Sequence, residues 1–409
     1  MKFRISIVLS LLVINFSSVS AQVATKSKTY NFDPKKTEEL RVRDGLPNLF
    51  QKLKAGKEVK IGYIGGSITN GGLWREKSLE WFKSEFPTAK ISQINAAIGG
   101  TGPEYGACRI NNHLLVHNPD MVFIEYRVNN GGAYQGRALE GLIPQIWKNN
   151  PNTEICIVYT ISEGMIEDIK KGNQTNAGVF MEPVANHYGI TSIEFGLEVV
   201  KLLNENKLVF KKGDSPADGK IIFTHDGTHP VDAGHDIYRN VLVRSLKSIE
   251  NFGTPGPNVI PAPLKDNAFS SASMVPVTSA KFSGGWQTAD VGDEVDINAD
   301  LTDKNGGDKT LFDKAMKTTT VGDSFTLNWD GFLLGLTTIL ESKGAIQVEV
   351  TTDGGPSKIV SLNSRNGGTQ TKYEFFDEIK AGSHTTTIKL VKLAPGKVFQ
   401  IGQFLVVNK

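Results

Sequence analysis

From about residue 57 to residue 250, short apolar runs alternate with longer stretches of helical periodicity. Val59 to Ile64, Lys90 to Ile94, Met121 to Val128 and Ile155 to Ile161 have the length and aliphatic content of buried strands, and Ile190 to Phe195 reads as a shorter one. Helical stretches lie between them: one through Trp74 and Trp81, then Pro103 to His117, Leu139 to Lys148, Ala177 to His187, and a last from about Asp232 to Ile249. Repeated strand-helix units specify a mainly parallel sheet covered by helices on both faces. In such sheets the working residues gather in loops at the carboxyl ends of the strands.

After Asn251 the pattern changes. Proline and glycine cluster from Asn251 to Pro263, as in a linker. Beyond about Ala280, short runs alternate apolar with polar residues, as in Phe325 to Trp329, Ala345 to Val350 and Thr385 to Lys392. Turn clusters such as Asn305-Gly306-Gly307 and Asp353-Gly354-Gly355 separate them, the signature of an antiparallel β-sandwich. The division expected is an α/β domain over residues 22–255, a linker over 256–275 and a sandwich over 276–409. A length of 409 residues suits two cores better than one.

Residues 1–21 read as a secretory signal. Lys2 and Arg4 precede an apolar stretch from Ile5 to Phe16, and Val19-Ser20-Ala21 supplies small residues before Gln22. That stretch is too short to cross a hydrocarbon core of about 30 Å, and no later segment is long and apolar enough. No Cys follows the cleavage point, so a lipoprotein is not indicated, and the mature chain is expected to be secreted or periplasmic. A net charge of +2 without any run of Lys and Arg argues against a nucleic-acid partner. Cys108 and Cys156 could pair in an oxidising compartment. Each, however, lies in a segment resembling a buried helix or strand, where Cys commonly serves as a small apolar residue.

The chemistry-bearing residues fall just after the strands. Gly65-Gly66-Ser67-Ile68-Thr69 follows the first, and glycines there let the chain turn sharply and present the hydroxyl. A plain Gly-Ser loop has the same composition, whereas a phosphate loop would need a Gly-Lys-Ser/Thr ending. Asn95 to Gly102 (NAAIGGTG) follows the second strand and offers Gly100, whose backbone N–H can stabilise an oxyanion; paired glycines more often serve only as a turn. Asn129, opening Asn129-Asn130-Gly131 after the third strand, supplies a neutral amide donor, although Asn-Gly is also a strong turn dipeptide. His225-Asp226-Gly227-Thr228-His229-Pro230 precedes the last helix and places a carboxylate and an imidazole on one short loop. The competing Asp232-Ala233-Gly234-His235 reads as structural, with Asp232 capping that helix. His113, His117, His187 and His384 lack the neighbours of a metal site.

In these blocks the chain resembles the SGNH hydrolases, the GDSL-type esterases and lipases, over about residues 57–250. Ser67 in GGSIT, Gly100 in NAAIGGTG, Asn129 in VFIEYRVNN, and Asp226 with His229 in DGTHP match the blocks of that family. The resemblance implies a flavodoxin-like three-layer parallel sheet and a Ser67–His229–Asp226 triad. It also implies an oxyanion hole from the N–H groups of Ser67 and Gly100 and the Asn129 side chain. Acyl transfer without metal or organic cofactor follows from it. Arg109 sits where similar sequences often carry Arg, in a structural role. Two departures stand out: Gly66 replaces the Asp of the GDS form, and Asn130 replaces an Asp common after the block's Asn.

A secreted member with an appended sandwich is similar to carbohydrate esterases that remove acetyl groups from polysaccharides, so an acetylated carbohydrate is the expected partner. Trp74 and Tyr105, just past the first two loops, are candidate substrate contacts. Trp286, Trp329 and Phe332 could stack on pyranose rings, although core packing is the commoner use of such residues. The alternatives are a lipase or thioesterase of the same superfamily, or a polysaccharide-binding protein with a vestigial hydrolase domain.

Overall fold

Parallel strands β2 (Glu58–Gly65), β3 (Lys90–Asn95), β4 (Met121–Glu125), β5 (Glu154–Tyr159) and β6 (Thr191–Glu194) form one sheet, closed at an edge by the short antiparallel β1 (Leu40–Arg41). The computed structural model describes residues 30–31, 33–129, 134–211, 218–289, 314–364 and 370–408. The expected signal segment 1–21, Asn130, Gly131 and the expected turn at Asn305-Gly306-Gly307 lie outside the described residues. The strand order is β1-β6-β5-β4-β2-β3, so the chain leaves β2 for β3 on one side and returns to β4 on the other. That reversal opens a crevice beyond the carboxyl ends of β2 and β4.

The helices are α1 (Pro47–Lys54), α2 (Ser67–Asn70), α3 (Leu73–Glu85), α4 (Pro103–His113), α5 (Gln135–Asn149), α6 (Ile166–Lys170), α7 (Asn176–His187), α8 (Gly196–Asn204) and α9 (Asp232–Ile249). Because successive strand side chains point to opposite faces, Ile64, Ile124 and Ile157 pack under α4, α5 and α7. Tyr63, Phe123 and Val158 face α1, α3, α8 and α9 instead. Burial on both faces explains why β4 and β5 read as apolar runs interrupted only by a glutamate at one end.

The sandwich packs two antiparallel sheets. One orders Lys281–Ser283, Ser324–Gly331, Gly382–Leu393, Ile346–Thr352 and Lys358–Ser361; the other orders Gln287–Ala289, Ala315–Thr318, Phe399–Val407, Leu333–Leu340 and Gln370–Phe375. Ala272–Pro276 also pairs with Phe399–Val407, so residues 272–275, expected as linker, belong to this sheet. The sandwich is not a separate bead. Phe269, Leu333 and Leu405 join the core beneath α4 and α5, and the Gln145 amide on α5 donates to the Phe269 carbonyl at 2.9 Å.

Several elements differ from expectation. The helix after Pro103 stops at His113, and a 3₁₀ turn at Leu115–His117 ends on Asn118 in the left-handed region. β4 stops at Glu125 rather than Val128. Val231, not Asp232, occupies the cap of α9, and Asp232 pairs with Lys77 at 2.9 Å. Strands β7 (Leu208–Lys211) and β8 (Ile221–Thr224) form a small parallel pair with no strong alternation in the sequence. Cys108 and Cys156 are both buried free thiols.

Glu154, at the start of β5, is nearly buried and accepts the Asn48 N–H at 2.7 Å. Burial pushes its pKa from 4.5 up to about 7, against the help of that bond, and nearby Asp44 raises it further. The folded state therefore holds a proton there that the unfolded state releases first. Stability should fall as pH rises from about 4.5 to about 7 and then level. Glu154→Gln should lose less stability than the wild type between pH 5 and pH 8 in denaturant unfolding. Parallel losses in the two proteins would contradict the assignment.

Candidate active site

Where β2 ends, two glycines bring the chain against its neighbour. Gly66 N–H donates to the Glu125 carbonyl at 3.2 Å. A Cβ at Gly65 would lie 2.5 Å from that same oxygen, and one at Gly66 would lie 1.9 Å from Asn129 Oδ1. Neither position has room for a side chain while Asn129 keeps its place, so the Gly-Gly form of the block belongs to this geometry. Ser67 follows as the first residue of α2, and the N–H groups of Thr69 and Asn70 donate to the Gly66 carbonyl at 3.2 and 2.9 Å.

Beneath this turn sits a carboxyl group that the motif analysis missed. Glu125 is buried, and its oxygens accept the hydroxyls of Thr69 at 2.9 Å and Thr160 at 2.7 Å. Burial raises its pKa although these bonds and Arg127 favour the charged form. Arg127 is itself held by Glu194 under the crevice floor. An acidic residue at the carboxyl end of an apolar strand was the available signal for Glu125.

The imidazole comes from the loop between β8 and α9. Asp226 Oδ1 accepts the N–H groups of Thr228 and His229, each at 2.8 Å, and the Thr224 hydroxyl at 3.0 Å. Its Oδ2 lies 2.6 Å from His229 Nδ1, and His229 Nε2 lies 2.7 Å from Ser67 Oγ. An ionised carboxylate only accepts, so Nδ1 carries the proton and Nε2 is free to accept from the serine. Partial burial works against the Asp226 charge, but the His229 ring, the backbone N–H groups and Thr224 outweigh it and hold its pKa well below the usual carboxylate range. Gly227, at φ 88°, turns the loop, and its carbonyl accepts the Glu163 N–H at 2.8 Å. Asp226 and His229 remain about half exposed, so the site opens to solvent.

The loops after β3 and β4 complete the rim. Ile98 N–H donates to the Gly65 carbonyl at 3.0 Å, and a Cβ at Gly99 would lie 3.5 Å from Ser67 Cβ. Gly100, next in the chain, is exposed at φ 68°. Asn129 is the last described residue of its loop, with its own N–H donating to the Tyr126 carbonyl at 3.0 Å.

Ser67, Asp226 and His229 thus meet, and Gly100 and Asn129 lie on the loops flanking Ser67. The two expected substrate contacts do not. Trp74 is fully buried among Tyr63, Phe123 and Phe195, because its turn of α3 faces the sheet. Tyr105 is covered by Tyr373 of the sandwich, whose ring stacks on it at 4.7 Å. Trp286, Trp329 and Phe332 pack into cores. His225 is exposed and His235 is buried, its pKa lowered to about 4 by that burial and by Lys77; neither enters the chain of hydrogen bonds.

No protein-family model matches the chain, and no curated protein matches it. Among solved structures, a two-domain esterase (CEX) active on acetylated mannans, co-crystallised with mannopentaose, aligns with 91% of this chain and 97% of its own. The identity is 21% and the TM-score 0.73. A further crystal structure of a two-domain esterase of that description aligns with 91% of this chain and 98% of its own, at 21% identity and TM-score 0.74. This chain has the two-domain esterase fold. With 91% of the chain aligned, the match takes in both the α/β sheet and the sandwich.

The Asp226–His229 bond is measurable directly. Proton NMR should show a far-downfield resonance from His229 Nδ1–H that Asp226→Asn abolishes. Because the Asp226 pKa is held low, the resonance should persist as pH falls toward about 4, near the ordinary carboxylate value. A spectrum unchanged by Asp226→Asn would contradict the assignment.

Proposed function

We propose that this protein is an exported serine esterase that removes O-acetyl groups from polysaccharide or oligosaccharide. The observation that carries the reading is the unbroken line Asp226–His229–Ser67, with its links at 2.6 and 2.7 Å. That line is the arrangement that activates a serine hydroxyl, and a vestigial site would have no reason to keep it. The acetylated-glycan substrate is supported by the alignment along nearly the whole chain with an esterase active on acetylated mannans. The half-exposed Asp226 and His229 suit a polymer approaching from solvent. Export is supported by the charged start, apolar stretch and small residues over 1–21.

The proposed steps are those of a serine esterase. Ser67 Oγ attacks the acetyl carbonyl while His229 Nε2 takes its proton, and Asp226 stabilises the imidazolium that forms. The oxyanion is received by the N–H groups of Ser67 and Gly100 and by the Asn129 amide, each such donor being worth about 10²–10³ in rate. His229 then protonates the departing sugar oxygen, leaving acetyl-Ser67. Water, deprotonated by the same imidazole, attacks that ester; acetate leaves and the serine proton returns. Side chains and backbone amides carry every step.

Acetate release from acetylated mannans and xylans tests this. The wild type should release acetate, and Ser67→Ala should reduce the rate by at least about 10⁴-fold while leaving the fold intact. Equal release from both proteins, or none from the wild type, would overturn the reading.

A further inference from the structure

We propose that Tyr373, on the sandwich, is a positioning residue for the esterase reaction: it fixes the far end of the loop that carries Gly100. The proposal rests on the esterase reading above. It follows from the way this loop is tied down.

The loop leaves β3 at Asn95 and enters α4 at Pro103. Its first half is pinned to β2, with Ala96 N–H on the Tyr63 carbonyl at 2.8 Å and Ile98 N–H on the Gly65 carbonyl at 3.0 Å. Gly99 and Gly100 follow without side chains to hold their path, and Gly100 takes a positive φ. The second half must be fixed from elsewhere. Thr101 ties back to the Ile98 carbonyl at 2.9 Å, and Gly102 N–H donates to the Tyr373 hydroxyl at 2.9 Å. That hydroxyl in turn donates to Glu104 Oε1 at 2.6 Å, and the Tyr373 ring stacks on Tyr105 at an interplanar angle of 22°.

The Glu104 carboxylate curls back over Gly102, where a Cβ would lie 2.5 Å from Oε2. One phenol therefore grips a backbone N–H, a carboxylate and an aromatic face at the start of α4. Only Thr101 separates Gly102 from Gly100. Burial, reinforced by Glu104, raises the Tyr373 pKa far above its usual value, so the phenol remains a donor at any working pH. The sandwich thus reaches into the catalytic geometry through a residue that need not touch substrate. Misplacing a preorganised donor by a fraction of an ångström weakens its hold on the transition state more than on the ground state.

Tyr373→Phe keeps the ring and removes both hydrogen bonds. With p-nitrophenyl acetate, kcat should fall about tenfold, a part of what losing an entire oxyanion donor costs, with KM within about twofold. Trp329→Phe, which removes the indole bond to Thr386 inside the sandwich, serves as a control that lowers Tm without moving kcat. Unchanged kcat in Tyr373→Phe with an active wild type would overturn the positioning role and leave the esterase reading standing. An equal fall in kcat in Trp329→Phe would also overturn it, by showing a general loss of stability. A wild type inert toward the ester would overturn the esterase reading and the positioning role together.

Discussion

The site depends on how closely β2 can approach β4 at its carboxyl end. Gly65 and Gly66 have no Cβ, so the chain passes within reach of the Glu125 carbonyl and the Asn129 amide before turning into α2. This contact fixes where Ser67 stands relative to the loop after β4. Because Ile98 also bonds to Gly65, it fixes the loop after β3 as well. The strand order places all of this at the reversal point of the sheet, where two neighbouring loops diverge and leave a crevice. Glu125 and its two threonine partners brace the turn from below.

The other half of the site is rigid for a different reason. Asp226 and His229 are about half exposed and gain little from burial. Their loop is held by its own polar groups: one carboxylate oxygen takes three donors, and Glu163 secures Gly227 from the loop after β5. The second carboxylate oxygen is left for the imidazole. A ring already oriented by Asp226 has little freedom left to lose, so an exposed pair can still be a well-placed one.

The sheet and the motif residues were legible in the sequence because each answers to a local rule. Buried parallel strands need apolar runs, sharp turns need glycine, and a triad needs an imidazole beside a carboxylate. Trp74, Tyr105 and Asp232 were not legible in this way. Whether Trp74 faces solvent depends on how α3 is rotated on the sheet, and whether Tyr105 does depends on Tyr373, far along the chain in the sandwich. Asp232 had a suitable cap position one residue off, and Lys77 from α3 claimed it. The strand at Ala272–Pro276 contains a proline and follows a Pro-rich segment, so only its pairing with Phe399–Val407 reveals it. Thr224 lies outside the motif blocks and Glu125 is only an unremarked member of one, since their roles exist only once the loops converge.

In the proposed mechanism Ser67 is a nucleophile activated by His229. Covalent labelling with a fluorophosphonate, followed by peptide mapping, measures that property without any assumption about the natural substrate. A single adduct on Ser67 is expected, formed at least about 10³-fold more slowly in His229→Ala. An adduct on another residue, or labelling of Ser67 at the same rate without His229, would contradict it.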